Sequence, residues 1–174
     1  MRIIRHALLP LLVAVSAGLT QAADTPKPCV FCEIAAGRLE PELVVYRDNL
    51  VVAFMDIAPG NPGHVLVVPV VHADDIVATP AATAERTIVV AQRIARAIRR
   101  TDLKAEGFNL IMNAGRAAGQ TVMHAHLHLI PRYAGDAGGH GERARERATV
   151  EALAPVAAKI RAALAAAPAA ETAR

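Results

Sequence analysis

The stretch Gln120–Arg132, "QTVMHAHLHLIPR", places His124, His126 and His128 two residues apart, with Ala125, Leu127 and Leu129 between them. Strict alternation followed by Pro131 reads as a β-strand rather than a helix. On a strand, residues i, i+2 and i+4 share a face, which puts the three imidazoles in a row about 7 Å apart. The alternating apolar residues would face a core. A single histidine on such a strand is ordinarily just hydrogen-bonded. Three in register imply metal binding, catalysis or both.

Upstream, "NAGRAAGQT" (113–121) is a glycine-rich turn that leads from a strand, "GFNLIMNAG" (107–115), into the histidine strand. Such a turn presents backbone N–H groups and short polar side chains, as anion binding requires. Asn113, Gly119, Gln120 and Thr121 are the candidates it supplies. Earlier still, "ELVVYRD" (42–48) and "NLVVAFMDI" (49–57) are two strands meeting at a hairpin signal, Asp48-Asn49. "APGNPGH" (58–64) is a loop, and "HVLVVPVVH" (64–72) a third strand. His64 opens that strand where glycines permit close approach of a ligand.

The main helix is expected from "TPAATAERTIVVAQRIARAIRRTD" (79–102), with Thr79 as N-cap and Pro80 at the first helical position. Its apolar stripe reads Ile88, Ala91, Ile94, Ala95 and Ile98. Beyond a glycine-rich loop, a second helix runs to about residue 167, burying Leu153, Val156, Ile160 and Leu164. Pro155 should start or bend it. Strands in series with one central and one terminal helix give the α+β class with an antiparallel sheet of about five strands.

The first residues read as an export signal. "MRIIRH" carries two arginines and no acid, "ALLPLLVAVSAGL" is a short apolar run, and Thr20 and Ala22 are small enough for a peptidase site. Cleavage is expected after Ala22, so that 1–22 is a signal peptide, 23–28 a linker, 29–166 the folded domain and 167–174 a disordered tail. Localisation is then periplasmic or secreted, with no membrane anchor after cleavage. Removing 22 of the 174 residues leaves 152, and loss of Arg2 and Arg5 leaves 17 basic residues of 19 against 16 acidic. That near-neutral balance, aromatics at 3% and the absence of Trp give no basis for nucleic-acid binding. Cys29 and Cys32 form a C-x-x-C, which alone fits a disulfide, a redox pair or half a zinc site.

"GQTVMHAHLHLIPR" resembles the signature of the histidine triad family, H-x-H-x-H followed by two apolar residues. "CVFCEIAAGRLE", "VVAFMDIAPGNPGHVLVVPVVH" and "NAGRAAGQ" extend the resemblance to the bacterial nucleotide-binding branch, across roughly residues 29 to 165. It implies a HIT-like fold and a nucleotide hydrolase or nucleotidyltransferase acting at the α-phosphate. His126 would be the nucleophile, forming a covalent nucleotidyl-histidine. His128 would bind the phosphate region and His64 the polar network beside it. Asn113, Gly119, Gln120 and Thr121 would contact phosphate or leaving group. Asp56 would accept from the ribose hydroxyls, and Phe31, Ile34, Phe54 and Ile57 would form an apolar base pocket, a purine nucleoside phosphate being the expected ligand. Some members also hold a structural zinc, here through Cys29, Cys32, His72 and His124, with no organic cofactor, and pair as homodimers through the central helix and a strand edge. Arg132 is expected to solvate the strand end. A non-catalytic nucleotide or zinc binder of the same fold is the alternative that export motivates.

Overall fold

The computed structural model describes residues 28–136 and 146–167. The expected signal peptide, residues 23–27 of the expected linker, residues 137–145 and residues 168–174 of the expected tail lie outside the described residues. A short helix α1 (Val30–Ala35) precedes strands β1 (Val44–Arg47), β2 (Val51–Met55) and β3 (Val65–Pro69). Helix α2 (Ala81–Arg99), β4 (Gly107–Ile111), β5 (Leu127–Arg132) and α3 (Val150–Ala165) follow. The five strands form one antiparallel sheet in the order β1-β2-β3-β5-β4.

Alternation sorts the sheet into two faces. Val51, Ala53, Met55, Val65, Val67, Leu127 and Leu129 share a core with Val90, Ala91, Ile94 and Ile98 of α2 and Leu153, Ala157 and Ile160 of α3. On the other face, Val52, Phe54, Leu66 and Val68 pack under Phe31, Ile34 and Ala35 of α1. Cross-strand register puts Leu66 opposite both Phe54 and His128, so this second face carries the site.

The hairpin at 48–51 is fixed by its first residue. Asp48 Oδ1 accepts from the backbone N–H of Leu50 at 2.8 Å and of Val51 at 2.9 Å, an Asx turn. Its Oδ2 accepts from Arg86 Nε of α2 at 2.7 Å and from the Tyr46 hydroxyl at 2.9 Å. Burial pushes the Asp48 carboxyl up, but the Val51 N–H, Arg86 guanidinium, Leu50 N–H and Tyr46 hydroxyl together hold it down at about 2. Arg47 caps the C-terminal end of α1 through the carbonyls of Ile34 and Ala35.

Several local expectations shift. Helix α2 begins one residue later than expected, after Pro80, and Thr79 is not its side-chain cap. The Thr79 hydroxyl is instead donated to the Asp75 carbonyl at 2.8 Å, tightening the turn before the helix. Ile88 is 51% exposed, and the buried stripe runs through Thr83, Thr87, Val90, Ala91, Ile94, Ala97 and Ile98. Threonines at 83 and 87 bury their methyl sides because the Thr87 hydroxyl is satisfied by the Thr83 carbonyl at 2.9 Å. Helix α3 runs through Pro155 and starts five residues before it, where the Thr149 side chain accepts the Ala152 N–H. Most consequential, β5 begins at Leu127, and only the third histidine lies in the strand.

Candidate active site

The segment before β5 is shaped by Gln120, which is 3% exposed. Its Oε1 accepts from the Gly115 N–H at 2.7 Å. Its Nε2 reaches the carbonyls of Asp74 at 2.6 Å, Val122 at 2.9 Å and His124 at 3.4 Å. The side chain is thus engaged with backbone on both sides of the turn. Residues 122–124 bend instead of pairing. His124 and His126 leave the ladder, and the three rings turn to two different clusters, not to the single strand row expected from spacing.

His124 turns toward the cysteines. Its Nε2–H donates to the Pro69 carbonyl at 3.0 Å, leaving Nδ1 as the lone-pair nitrogen. That Nδ1 lies 3.4 Å from Cys29 Sγ and 3.5 Å from Cys32 Sγ. His72 repeats the arrangement. Its Nε2 faces Asp74 Oδ1 at 3.1 Å, and its Nδ1 lies 3.4 Å from Cys32 Sγ. All four ligand atoms fall within 4.8 Å of one another, and both cysteines are free thiols. A tetrahedral zinc with Zn–S near 2.3 Å and Zn–N near 2.0–2.1 Å spans its S···N edges at about 3.5 Å. The cluster has that spacing already, with a carbonyl and a carboxylate orienting the two imidazoles from behind. Burial, and the neighbouring charges of His72 and His126, outweigh the Pro69 carbonyl and hold His124 below its usual pKa. Burial, then the hydrogen bond and charge of Cys29, push the Cys32 thiol up to about 11. A cation at the centre of the cluster would offset that rise for Cys32, since the thiolate and not the thiol is the ligand.

His126 is tied by its other nitrogen. Nδ1 lies 2.7 Å from the His124 carbonyl, which can only accept. Nδ1 therefore carries the proton and Nε2 the lone pair, the form in which imidazole is a nucleophile. His126 is 4% exposed. Its ring centroid is 5.3 Å from Phe31 and 4.9 Å from His128, both edge-on.

A hydrogen-bond chain assigns the protons behind His128. The Gly60 N–H donates to His64 Nδ1 at 3.0 Å, so His64 carries its hydrogen on Nε2. Nε2 then donates to His128 Nδ1 at 3.0 Å, leaving the His128 proton on Nε2. His126 thus presents a lone pair at Nε2 and His128 a proton at Nε2. Asp56 Oδ2 sits 3.3 Å from His64 Nδ1 and 3.8 Å from His128 Nδ1. Its Oδ1 accepts from the Ala58 N–H at 2.8 Å.

Of the apolar four, Phe31, Ile34 and Phe54 pack together, Phe31 meeting Phe54 edge-on at 5.4 Å. Ile57 packs against the opposite core. Asn113 and Gly119 are half-buried in the turn and Thr121 is exposed at its end. Arg132 pairs with Asp136, which also accepts from Asn61 Nδ2 at 2.8 Å. Sequence reading missed Gly60, Pro69 and Asp74, which act on histidines through backbone groups or from behind a ring. Only Asp74 leaves a trace, as His-x-Asp at 72–74.

Residues 38–135 match the HIT domain, more than half of the chain. An uncharacterized HIT-like protein of Mycobacterium tuberculosis is 45% identical over 109 residues, 63% of this chain and 74% of that protein. An adenylylsulfatase of Arabidopsis thaliana is 33% identical over 119 residues, 66% of this chain and 57% of that protein. Among solved structures, a zinc-bound histidine triad protein of Mycobacterium smegmatis superimposes with a TM-score of 0.70 at 40% identity, covering 79% of this chain and 94% of that one. The antiparallel sheet, the paired histidine clusters and these matches agree, and the chain belongs to the histidine triad (HIT) family.

Proposed function

We propose that this protein is a nucleotide hydrolase or nucleotidyltransferase that works at the α-phosphate through a covalent nucleotidyl-histidine on His126. The observation that carries the reading is the opposite protonation of neighbouring rings: His126 is held with its lone pair at Nε2, and His128 with its proton there. Attack by His126 Nε2 on phosphorus forms the P–N bond and breaks the bond to the leaving group, which departs with a proton from water, while the His128 Nε2–H donates a hydrogen bond to the phosphoryl oxygen where charge accumulates. Water or a second phosphate then attacks the phosphorus, breaking the P–N bond, and an attacking water gives up its proton to solvent. The first ring is pinned by a carbonyl and costs little reorganisation at the moment of attack.

The glycine-rich turn supplies the phosphate contacts, with Asn113, Gly119 and Thr121 as the residues in reach of substrate. Gln120 acts by shaping that turn, since its amide is engaged with backbone. Phe31, Ile34 and Phe54 form the base side, and Asp56 combines ribose recognition with its place beside His64. Cys29, Cys32, His72 and His124 hold zinc, whose chemistry is that of a closed structural centre. Export, cleavage after Ala22 and homodimerisation complete the reading. Among the described residues no helix is long and apolar enough to cross a membrane.

The test is turnover of a nucleoside phosphoramidate or a dinucleoside polyphosphate, with acid-labile nucleotidyl-protein trapped by rapid quench. His126→Ala should form no adduct. Wild-type protein that binds a nucleoside monophosphate in a calorimeter but is as inert as His126→Ala would instead favour a binding protein.

A further inference from the structure

The metal cluster and the nucleophile are joined by three short links. The His126 Nδ1–H is donated to the carbonyl of His124, itself a member of the cluster, at 2.7 Å. Phe31 lies in sequence between Cys29 and Cys32, and its ring stands edge-to-face with His124 and His126, at centroid distances of 6.0 Å and 5.3 Å. Gln120 ties the His124 carbonyl to the backbone of Asp74, whose carboxylate orients His72. A remote staple would need none of these. The cluster is also within reach of small reagents: both cysteines are half-buried and His72 is exposed.

We infer that the Cys29–Cys32–His72–His124 cluster is a positioning element for the His126 nucleophile, and that oxidation of its two thiols switches the nucleophile off. This rests on the nucleotidyl-histidine reading above and on the cluster's fit to zinc. The step needs an oxidant of the disulfide class. One cysteine thiolate attacks the reagent disulfide, forming a mixed disulfide and expelling a thiolate. The second cysteine attacks that mixed disulfide, closing the Cys29–Cys32 bond and expelling a second thiolate. Two electrons pass from the protein pair to the reagent. The cluster would then offer only the two neutral imidazoles of His72 and His124, which would hold zinc far more weakly than with two thiolates. The His124 ring then keeps only its hydrogen bond to Pro69, α1 shifts with its cysteines, and the carbonyl that fixes His126 is left with Gln120 as its one remaining tie.

The experiment uses the full chain loaded with zinc and treated with glutathione disulfide. Zinc release is read with a chromophoric chelator. The His126 Nδ1–H is read by nitrogen-15 NMR of labelled histidine, assigned by its loss in His126→Ala. Single-turnover transfer from a nucleoside phosphoramidate gives the third readout, and circular dichroism the fold. The expected result is release of one zinc equivalent, exchange-broadening of the Nδ1–H signal and a fall of about 10- to 100-fold in adduct formation, with little change in KM. All three should revert with reductant and zinc. Phe31→Leu, which leaves the four ligands in place, should retain zinc yet perturb the same NMR signal and lower kcat.

An oxidised, zinc-free protein with an unchanged His126 signal would overturn the inference, as would a reduced protein that takes up no zinc. If the reduced wild type forms no adduct, the reaction proposed above fails, and the NMR signal still decides whether the cluster positions His126.

Discussion

The two sides of β5 differ in what they ask of their neighbours. Leu127 and Leu129 point into a core closed by α2 and α3, where only volume and apolarity count. One residue out of step, His128 points to the face under α1, where donors and acceptors are matched ring by ring. The first side tolerates any substitution that fills space, at a cost in stability. The second depends on which nitrogen each ring has engaged. His124 is tied at Nε2 and offers Nδ1 to the thiols, whereas His126 is tied at Nδ1 and offers Nε2. Residues of one type, two apart, are given different work by the choice of a backbone carbonyl.

The largest effect that would test this division is chemical and confined to one face. His126→Ala should lower adduct formation and turnover by on the order of 10⁴-fold or more, with a melting temperature close to wild type. A variant that kept a substantial fraction of activity would move the nucleophile elsewhere. The opposite face should give the converse. Leu129 is fully buried, and Leu129→Ala should cost about 2–5 kcal/mol of stability, a fall of roughly 10 °C in Tm for a domain of this size. Its kcat at a temperature where it remains folded should match wild type. A large loss of kcat there would mean that the helix-side core, and not only the hydrogen-bond network, sets the geometry of the rings.

A smaller effect should separate members of the network. His64→Ala removes the donor to His128 Nδ1 and frees that ring to exchange tautomers. We expect kcat to fall by about 10²-fold, with a changed pH–rate profile and little change in KM. Because His64 is fully buried, stability falls too, so the pH profile is the discriminating measurement. An unaltered profile would show that His128 holds its proton without His64.

Much of this division is legible in the sequence, for physical reasons. The alternation of Leu127 and Leu129 with His126 and His128 fixes the helix-side face, because a one-residue slip would bury the imidazoles among aliphatic side chains. The C-x-x-C pair, His72 and His124 converge as the family resemblance implies. The bend at 122–124 was not legible. It follows from a buried glutamine whose partners, Gly115 and Asp74, lie 5 and 46 residues away, and periodicity carries no information about such contacts. Nor could spacing reveal which ring nitrogen each carbonyl would take. Spacing likewise does not show that Ile57, beyond the end of β2, packs against the helix-side core while Phe54 packs under α1. Thr83 and Thr87 escaped the helix stripe because their hydroxyls look polar until a partner carbonyl satisfies one of them.

The smallest effect concerns the hairpin that anchors β1 and β2 to α2, well removed in kind from the ring network. Asp48 accepts from two backbone N–H groups, Arg86 and Tyr46, and its carboxyl is held at about 2 against an ordinary 3.8. The folded state therefore binds the proton more weakly than the unfolded chain. As pH falls, the unfolded chain takes up its proton first, near 3.8, and the folded one only near 2. The stabilisation is thus fully present at neutral pH and is lost between about pH 4 and pH 2. Allowing for the partial exposure of the Arg86–Asp48 pair, it amounts to about 1–2 kcal/mol. Asp48→Asn keeps an oxygen for the Asx turn but removes the charge facing Arg86. Urea midpoints of wild type and Asp48→Asn should differ at pH 7 and converge toward pH 2.5, while adduct formation on His126 at pH 7 stays unchanged. Midpoints separated equally at both pH values would assign the stability to the turn geometry alone. A loss of adduct formation in Asp48→Asn would be the sharper result, because it would show that the hairpin on the helix side reaches the rings through β2, and the two faces would no longer be separable.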